Sequence, residues 1–590
     1  MKQNYNWDFS RIYANAEAYE KDYAKSLSLI EEISSFNGKL NEEKNVLALL
    51  KKLEEVDCYI SKIYTYSSMK YDQNQKNTDG QVLHGRAIDL YTKLIQNVSF
   101  ADTQILANGV DRLLEWAKKE SFKDYSYYLR NLVNNQAYVK SEKEEQLLAN
   151  FSPLRSNITN LYDMAAVADN KDLEVTFSDG EKSLVTHSNY VTFLEGKKNQ
   201  DDRRLAFEAL YKTYKDHQNT YAGIYNCLIL SNIAIMKSRG YSSILNTFLR
   251  SNDIPESVYL SLLETVHKNA KIVWDYYDLK KKQLGLKEFH TYDRFQKLAS
   301  TTKKYTYEEA KELFFKAAEK IGPDFLNKAK TVLEEGRVDV YYTEGKRTGA
   351  YSTGFYDLGP YILLNYNGSF NDVFTVAHEA GHSIHTMLAN ENNGVFNSQY
   401  TIFVAEIAST FNEQLLQDYL MEQELDHETR LYMLQSACDD LIATFYRQTL
   451  FADYEYQAHN LALKGEVINA TTLENLMAKL YKEYYNIDLD KEPLKKEIWA
   501  YIPHLFHSPF YVYQYATCFA CSLAIYDMVK SKKPGALDNY LSMLKAGGSD
   551  FPMNIVKLGG VDLTTPAPFE AVFKRLSYLV EELKKELKRK

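Results

Sequence analysis

Residues that break helices are scarce in this chain. Eleven prolines and 24 glycines among 590 residues exclude a Pro- or Gly-rich low-complexity protein and favour long helices joined by short turns. Cysteine is scarcer still, with five in all. That number builds no disulfide framework and suits a reducing compartment. Cys518 and Cys521 do form a C-x-x-C, but the segment is apolar and helical in texture, with no second C-x-x-C and no βαβ pattern around it. The pair reads as two small buried residues rather than a redox site. An excess of positive charge is also missing: 70 basic against 79 acidic residues leave a net charge of −9. This argues against a nucleic-acid partner and against an anionic membrane surface. No apolar run reaches the ~18 to 20 residues of a membrane span. The nearest, 510–526, is interrupted by Gln514, Thr517 and Ser522 and reads as a buried helix. The N-terminus, Met1-Lys2-Gln3-Asn4-Tyr5-Asn6-Trp7-Asp8, lacks the apolar stretch of a signal peptide. These absences point to the cytoplasm.

What is present is the balance of a soluble globular protein, 45% hydrophobic and 25% charged, long enough for two or more packed lobes. Apolar residues recur at spacings of three and four in 41–62, 82–106 and 141–150, so the chain is expected to be mainly α. Two regions break that texture. Leu173-Glu174-Val175-Thr176-Phe177, a turn at Asp179-Gly180 and then Ser183-Leu184-Val185-Thr186 predict a small hairpin within 173–187. β-rich runs bounded by Gly and Pro between 338 and 367 predict a small sheet. Gly196-Lys197-Lys198-Asn199 interrupts a helical stretch, which suggests an N-terminal helical lobe over 1–195 and a second, chemistry-bearing domain over 196–590.

The sheet region runs directly into His378-Glu379-Ala380-Gly381-His382. Ser369 can cap a helix here, with Asp372 as its reciprocal partner three residues on. The apolar run that follows extends the helix to about residue 390. Residues four apart on a helix share a face, so His378 and His382 can offer imidazole nitrogens to one metal ion. Glu379 can then act as general base toward an attacking water, which is the H-E-x-x-H logic of zinc peptidases. Gly381 inside the helix costs about 1 kcal/mol relative to Ala, so another backbone or a substrate is expected to approach it.

A peptidase zinc also needs a third protein ligand. Glu406, in Phe403-Val404-Ala405-Glu406-Ile407-Ala408-Ser409, is an acid among apolar and small residues on a second helical segment, and is the better candidate. His385 is the rival. Seven residues of one helix span about 10 Å, too far for three ligands on one tetrahedral ion, so His385 reads as a hydrogen-bonded neighbour. Glu413, seven residues beyond Glu406, either orients a ligand histidine or is an ordinary solvated or ion-paired acid.

Together, His378 to His385, Phe403 to Ser409, Ile502-Pro503-His504 and Ser508-Pro509-Phe510-Tyr511-Val512-Tyr513-Gln514-Tyr515-Ala516-Thr517 resemble oligoendopeptidase F, of the thimet-oligopeptidase-like zinc metallopeptidases. Gly349-Ala350-Tyr351 and Pro360-Tyr361-Ile362-Leu363-Leu364-Asn365-Tyr366 match as well. The resemblance is dense over roughly 200–585 and departs from the expected pattern at Cys518, where a Gly is expected. It implies a two-lobed, zincin-like helical metallopeptidase with an internal substrate channel. One Zn²⁺ per chain would be held by His378, His382 and Glu406, with Glu379 as base. The strand region 349–361 would pair with an extended substrate. His504 and the 511–515 segment would face the metal.

Chemistry independent of the resemblance agrees with that last point. Water addition to a peptide carbonyl develops an oxyanion, which a phenol or imidazole can stabilise. His504 and Tyr511 are the favoured donors, then Tyr515, since Tyr511, Tyr513 and Tyr515 could not all face one way from a helix. The expected activity is a zinc-dependent endopeptidase acting on short peptides, as a monomer or small homo-oligomer. The alternatives are a related helical zinc carboxypeptidase and a non-catalytic peptide-binding protein.

Overall fold

The computed structural model describes residues 5–299 and 303–589. Helix accounts for 70% of the chain, which places it in the mainly-α class. There are five strands among the described residues. β1 (Leu173–Thr176) and β2 (Lys182–Val185) form the antiparallel hairpin the sequence predicts, with Leu173 opposite Val185. β3 (Val338–Tyr341), β4 (Tyr351–Phe355) and β5 (Gly359–Tyr366) form a sheet in the order β3-β5-β4. β5 lies in the middle, parallel to β3 and antiparallel to β4. β4 is therefore an edge strand.

The helical expectations hold with adjusted ends. α1 (Ala16–Ser34), α2 (Glu43–Gln73) and α3 (Thr78–Val98) pack on one another. Leu29, Ile33, Leu49, Leu50, Val56, Ile60, Ile63 and Leu90 form their shared core. The run expected over 82–106 is two helices, because the Ser99 hydroxyl turns back onto the Gln96 carbonyl at 2.9 Å and offers the backbone an alternative to continuing. A new helix then covers Ala101–Leu106. The helix expected over 141–150 starts at a Ser141/Glu144 capping box and runs to Asp163.

Chain-distant segments build two compact units. The first comprises Met1–Ala137, Thr302–Glu424 and Cys521–Asp562; the second comprises Tyr138–Thr301, Leu425–Ala520 and Leu563–Lys590. A single cut at 195/196 does not separate these units, because packing pairs elements remote in sequence. In the first unit α2 packs on β4, and the Tyr351 hydroxyl donates to Asp72 at 2.9 Å. In the second, the helix Gln218–Arg239 packs on Arg447–Leu463, and Ala567–Glu586 packs on His427–Leu441.

α4 (Phe370–Asn392) and α5 (Ile402–Met421) are the most extensively packed pair in the first unit. Ser369 caps α4 with Asp372 as reciprocal partner, as its sequence predicts. α6 (Tyr513–Lys530) takes up residues 513–526 of the apolar 510–526 run; no helix among the described residues is long and apolar enough to cross a membrane.

Candidate active site

The close packing of α4 on α5 rests on Gly381. A Cβ at this position would lie 2.8 Å from the Ala408 carbonyl oxygen and 2.8 Å from the Ser409 Cα. Only a residue without a side chain lets the two backbones meet this closely. The approach brings Glu406 of α5 against both histidines of α4. Glu406 Oε2 lies 3.4 Å from His378 Nε2 and 3.4 Å from His382 Nε2. The three ligand atoms all lie within 4.8 Å of one another.

These distances fit a metal. Ligand atoms about 2.0–2.2 Å from a tetrahedral zinc stand about 3.3–3.6 Å apart. The donor set, two imidazoles and one carboxylate, is that of a catalytic zinc site, which keeps its fourth position open. His378 is also fixed from behind. Its Nδ1 lies 2.7 Å from Glu413 Oε1, so Nδ1 carries the proton and Nε2 is turned toward the metal position. Ser409 donates to Glu406 Oε2 at 2.8 Å, steadying that carboxylate from one turn along α5.

The electrostatics follow from burial and these partners. Burial alone would raise Glu406, but the hydrogen bond and charge of His382, with His378, outweigh it and hold the carboxyl at about 2. Burial would lower His378, but Glu413 overrides it and raises the imidazole to about 9. A metal cation would replace the proton on such a histidine. Glu379 is different. It is buried, and burial pushes its carboxyl above the usual range against the pull of His378 and His382. Its Oε2 has no hydrogen-bond partner, which suits a group that accepts a proton from a reactant rather than from the protein.

His385 is not part of the cluster. It is buried, its ring stacked on Tyr400 at 3.6 Å between centroids, and burial lowers it to about 3. The expectation of a hydrogen-bonded neighbour is corrected here: its Nδ1 has no partner, and the ring is held by stacking. The β-sheet flanks the ligand helix, with the Ser352 hydroxyl of β4 2.8 Å from that of Ser383 on α4.

His504, Tyr511 and Tyr515 belong to the second unit, where they form a cluster of their own. The His504 ring lies 6.0 Å from Tyr511 and 6.1 Å from Tyr515, and the two Tyr rings are 5.4 Å apart. Tyr511 precedes α6 and so escapes the divergence expected of a helix, whereas Tyr513 is buried against Tyr259. Before Tyr511 the chain turns at Phe510, with φ 55°. The Phe510 amide donates to the buried Glu455 carboxylate at 2.8 Å. Strain of this kind at a non-glycine residue persists where the surroundings hold it. Burial, then His507 and Arg447, lower His504, which favours its neutral form. Sequence reasoning did not single out Glu455 or Ser409. A hydroxyl three residues after a candidate ligand acid was the available signal for Ser409; nothing local marked Glu455. Cys518 and Cys521 form no disulfide and are buried in α6.

The model of peptidase family M3 matches residues 193–575, and that of the oligopeptidase F N-terminal region matches residues 104–171. The chain belongs to peptidase family M3. Among M3 relatives, oligopeptidase PepF of Bacillus subtilis is 35% identical over 99% of this chain and 87% of its own length. An oligoendopeptidase F homolog of Borreliella burgdorferi is 34% identical over 99% and 98%. The oligoendopeptidase-F structure from Enterococcus faecium superposes with a TM-score of 0.75 at 28% identity, covering 98% of this chain and 100% of that one. The M3 peptidase fold therefore extends over the chain.

Proposed function

We propose that this M3 peptidase is a zinc-dependent endopeptidase of short peptides, with His378, His382 and Glu406 as metal ligands and Glu379 as general base. The observation that carries the reading is the 3.4 Å spacing of Glu406 from both histidine Nε2 atoms beside an unpartnered, buried Glu379 oxygen. The relatives named oligoendopeptidase F support the substrate class and the internal position of cleavage. A bound zinc would supply Lewis-acid activation of water and of the scissile carbonyl at neutral pH. Glu379 takes a proton from the attacking water and passes it to the departing amine. Glu413 keeps His378 in the ligating tautomer. The edge strand β4 pairs with an extended peptide. His504 and Tyr511, then Tyr515, donate to the oxygen on which charge develops.

The test combines metal content with product analysis. Glu379→Gln should retain one zinc per chain and lose at least ~10³-fold in kcat, the scale expected for a general base. An active Glu379→Gln enzyme would refute the mechanism. A peptide blocked at both ends should be cut internally; resistance of that peptide, with release of C-terminal residues from an unblocked one, would identify a carboxypeptidase. Binding of peptide without chelator-sensitive hydrolysis would identify a binding protein. Converting Tyr511 or Tyr515 to Phe should lower kcat more than it raises KM, and an unchanged kcat would remove that residue from the proposed donors.

A further inference from the structure

Most arginines in this protein have a carboxylate partner. Arg11, Arg86, Arg130, Arg203 and Arg239 each have a carboxylate oxygen within 2.9 Å. With 79 acidic residues in the chain, partners are plentiful. Arg294 and Arg447, both half-buried in the second unit, have no ion-pair partner and no guanidinium hydrogen bond among the described residues, and the Nε of each is buried without an acceptor. Each lies against a phenylalanine ring, Arg294 at 4.3 Å from Phe295 and Arg447 at 4.8 Å from Phe451. Such contacts attract a cation without neutralising it.

A third cation joins them. Lys495 is buried, and its ammonium donates to the Tyr211 hydroxyl at 2.7 Å rather than to a carboxylate. Burial, then Arg294 and Arg447, depress Lys495 far below its usual range. Arg447 is lowered by burial and by Arg294. A lysine can shed its proton under such pressure; an arginine cannot. The nearby acid, Glu492, is committed elsewhere: it accepts from the Thr291 amide and hydroxyl and lies 3.0 Å from His290 Nδ1.

Arg294 also lines a cavity of about 10 Å³ with Tyr277, Thr291, Tyr481 and Tyr485. That volume suits one water-sized occupant. Tyr485 is buried, and its hydroxyl finds no partner. The lining thus combines a guanidinium without an ion-pair partner among the described residues with an unsatisfied hydroxyl, in a space for one small occupant. Buried charges are normally paired, and orphaned donors call for an acceptor.

We infer that the Arg294–Tyr485 cavity is a binding site for a single monatomic anion, of which chloride is the common one. Arg294 and the Tyr485 hydroxyl donate to the anion, while Arg447 adds attractive charge. A carboxylate or phosphate has too many heavy atoms for a cavity of this size. The site is separate from the metal ligands and adds a halide dependence that the peptidase chemistry does not require.

The probe is chloride itself, read by the line width of its NMR signal in the presence of the full-length zinc enzyme, with gluconate holding ionic strength constant. The wild type should broaden the line, and bromide should reverse the broadening by competition. Tyr485→Phe, which removes only the hydroxyl, should weaken chloride binding about 10-fold, the scale of a lost hydrogen bond to a charge. Arg294→Gln should abolish it. In parallel, chloride should raise the wild-type melting temperature relative to gluconate, through binding to the folded state alone, and Tyr485→Phe should reduce that shift. No broadening by the wild type, or equal broadening by wild type and Tyr485→Phe, would overturn the assignment.

Discussion

A metal-binding histidine needs its second nitrogen held, and His378 has Glu413 for that purpose at 2.7 Å. Glu413→Gln should therefore lower zinc affinity about 10- to 100-fold, the usual cost of losing such a partner. Competition against a chromogenic chelator measures it, and unchanged affinity would make Glu413 an ordinary ion-pairing acid. A second histidine offers a test of pH dependence. His267 Nε2 lies 2.8 Å from Asp453, and that hydrogen bond raises the His267 pKa against burial. A folded-state pKa above the unfolded one means the contribution is fully present below the unfolded value, ~6.5. It is lost as pH rises through the folded value. The melting temperature lost in His267→Gln should thus be larger at pH 6 than at pH 9, as thermal unfolding at both pH values would reveal.

At the scale of elements, the site depends on how closely α4 and α5 approach. Gly381→Ala would place a methyl group 2.8 Å from backbone atoms of α5, which must yield. The expected cost is about 1–3 kcal/mol of stability, typical of overpacking, and a substoichiometric zinc content, since Glu406 moves away with α5. Normal metal content together with a normal melting temperature would show that the helices tolerate the separation. The glycine and the capping box of α4 were legible in the sequence because both are local: one is a missing side chain, the other a reciprocal pair three residues apart. The break between α3 and the next helix was not, because a serine in an apolar-periodic run has several options, and only the turn back onto Gln96 selects one.

Across the molecule, each compact unit draws on three stretches of chain. The helix Ala567–Glu586 buries Phe569, Val572, Phe573, Leu576, Leu579, Val580 and Leu583 in the second unit. At about 1.5–3 kcal/mol each, their loss rivals the ~5–15 kcal/mol stability of a typical protein. Deleting residues after Asp562 should therefore expose 138–301 and 425–520 to limited proteolysis, although every proposed metal ligand is retained. Cuts distributed equally through both units would contradict this division.

By itself the sequence determined the mainly-α class, the hairpin, a small sheet ahead of the H-E-x-x-H helix and the residues proposed as metal ligands. Helical and strand periodicity, caps and the H-E-x-x-H spacing are all local properties that neighbouring residues impose. Only the tertiary structure decided that Glu406 stands equidistant from His378 and His382, that Glu413 backs His378, that His385 stacks on Tyr400, and that Tyr511 precedes its helix while Tyr513 enters the core. It also decided that each compact unit is drawn from three separate stretches of chain, and that Arg294 and Arg447 have no ion-pair partner among the described residues. Each of these depends on which side chains meet across long separations in the chain. Those meetings are set by the packing of whole apolar faces and by backbone approaches such as that at Gly381, which no local pattern encodes.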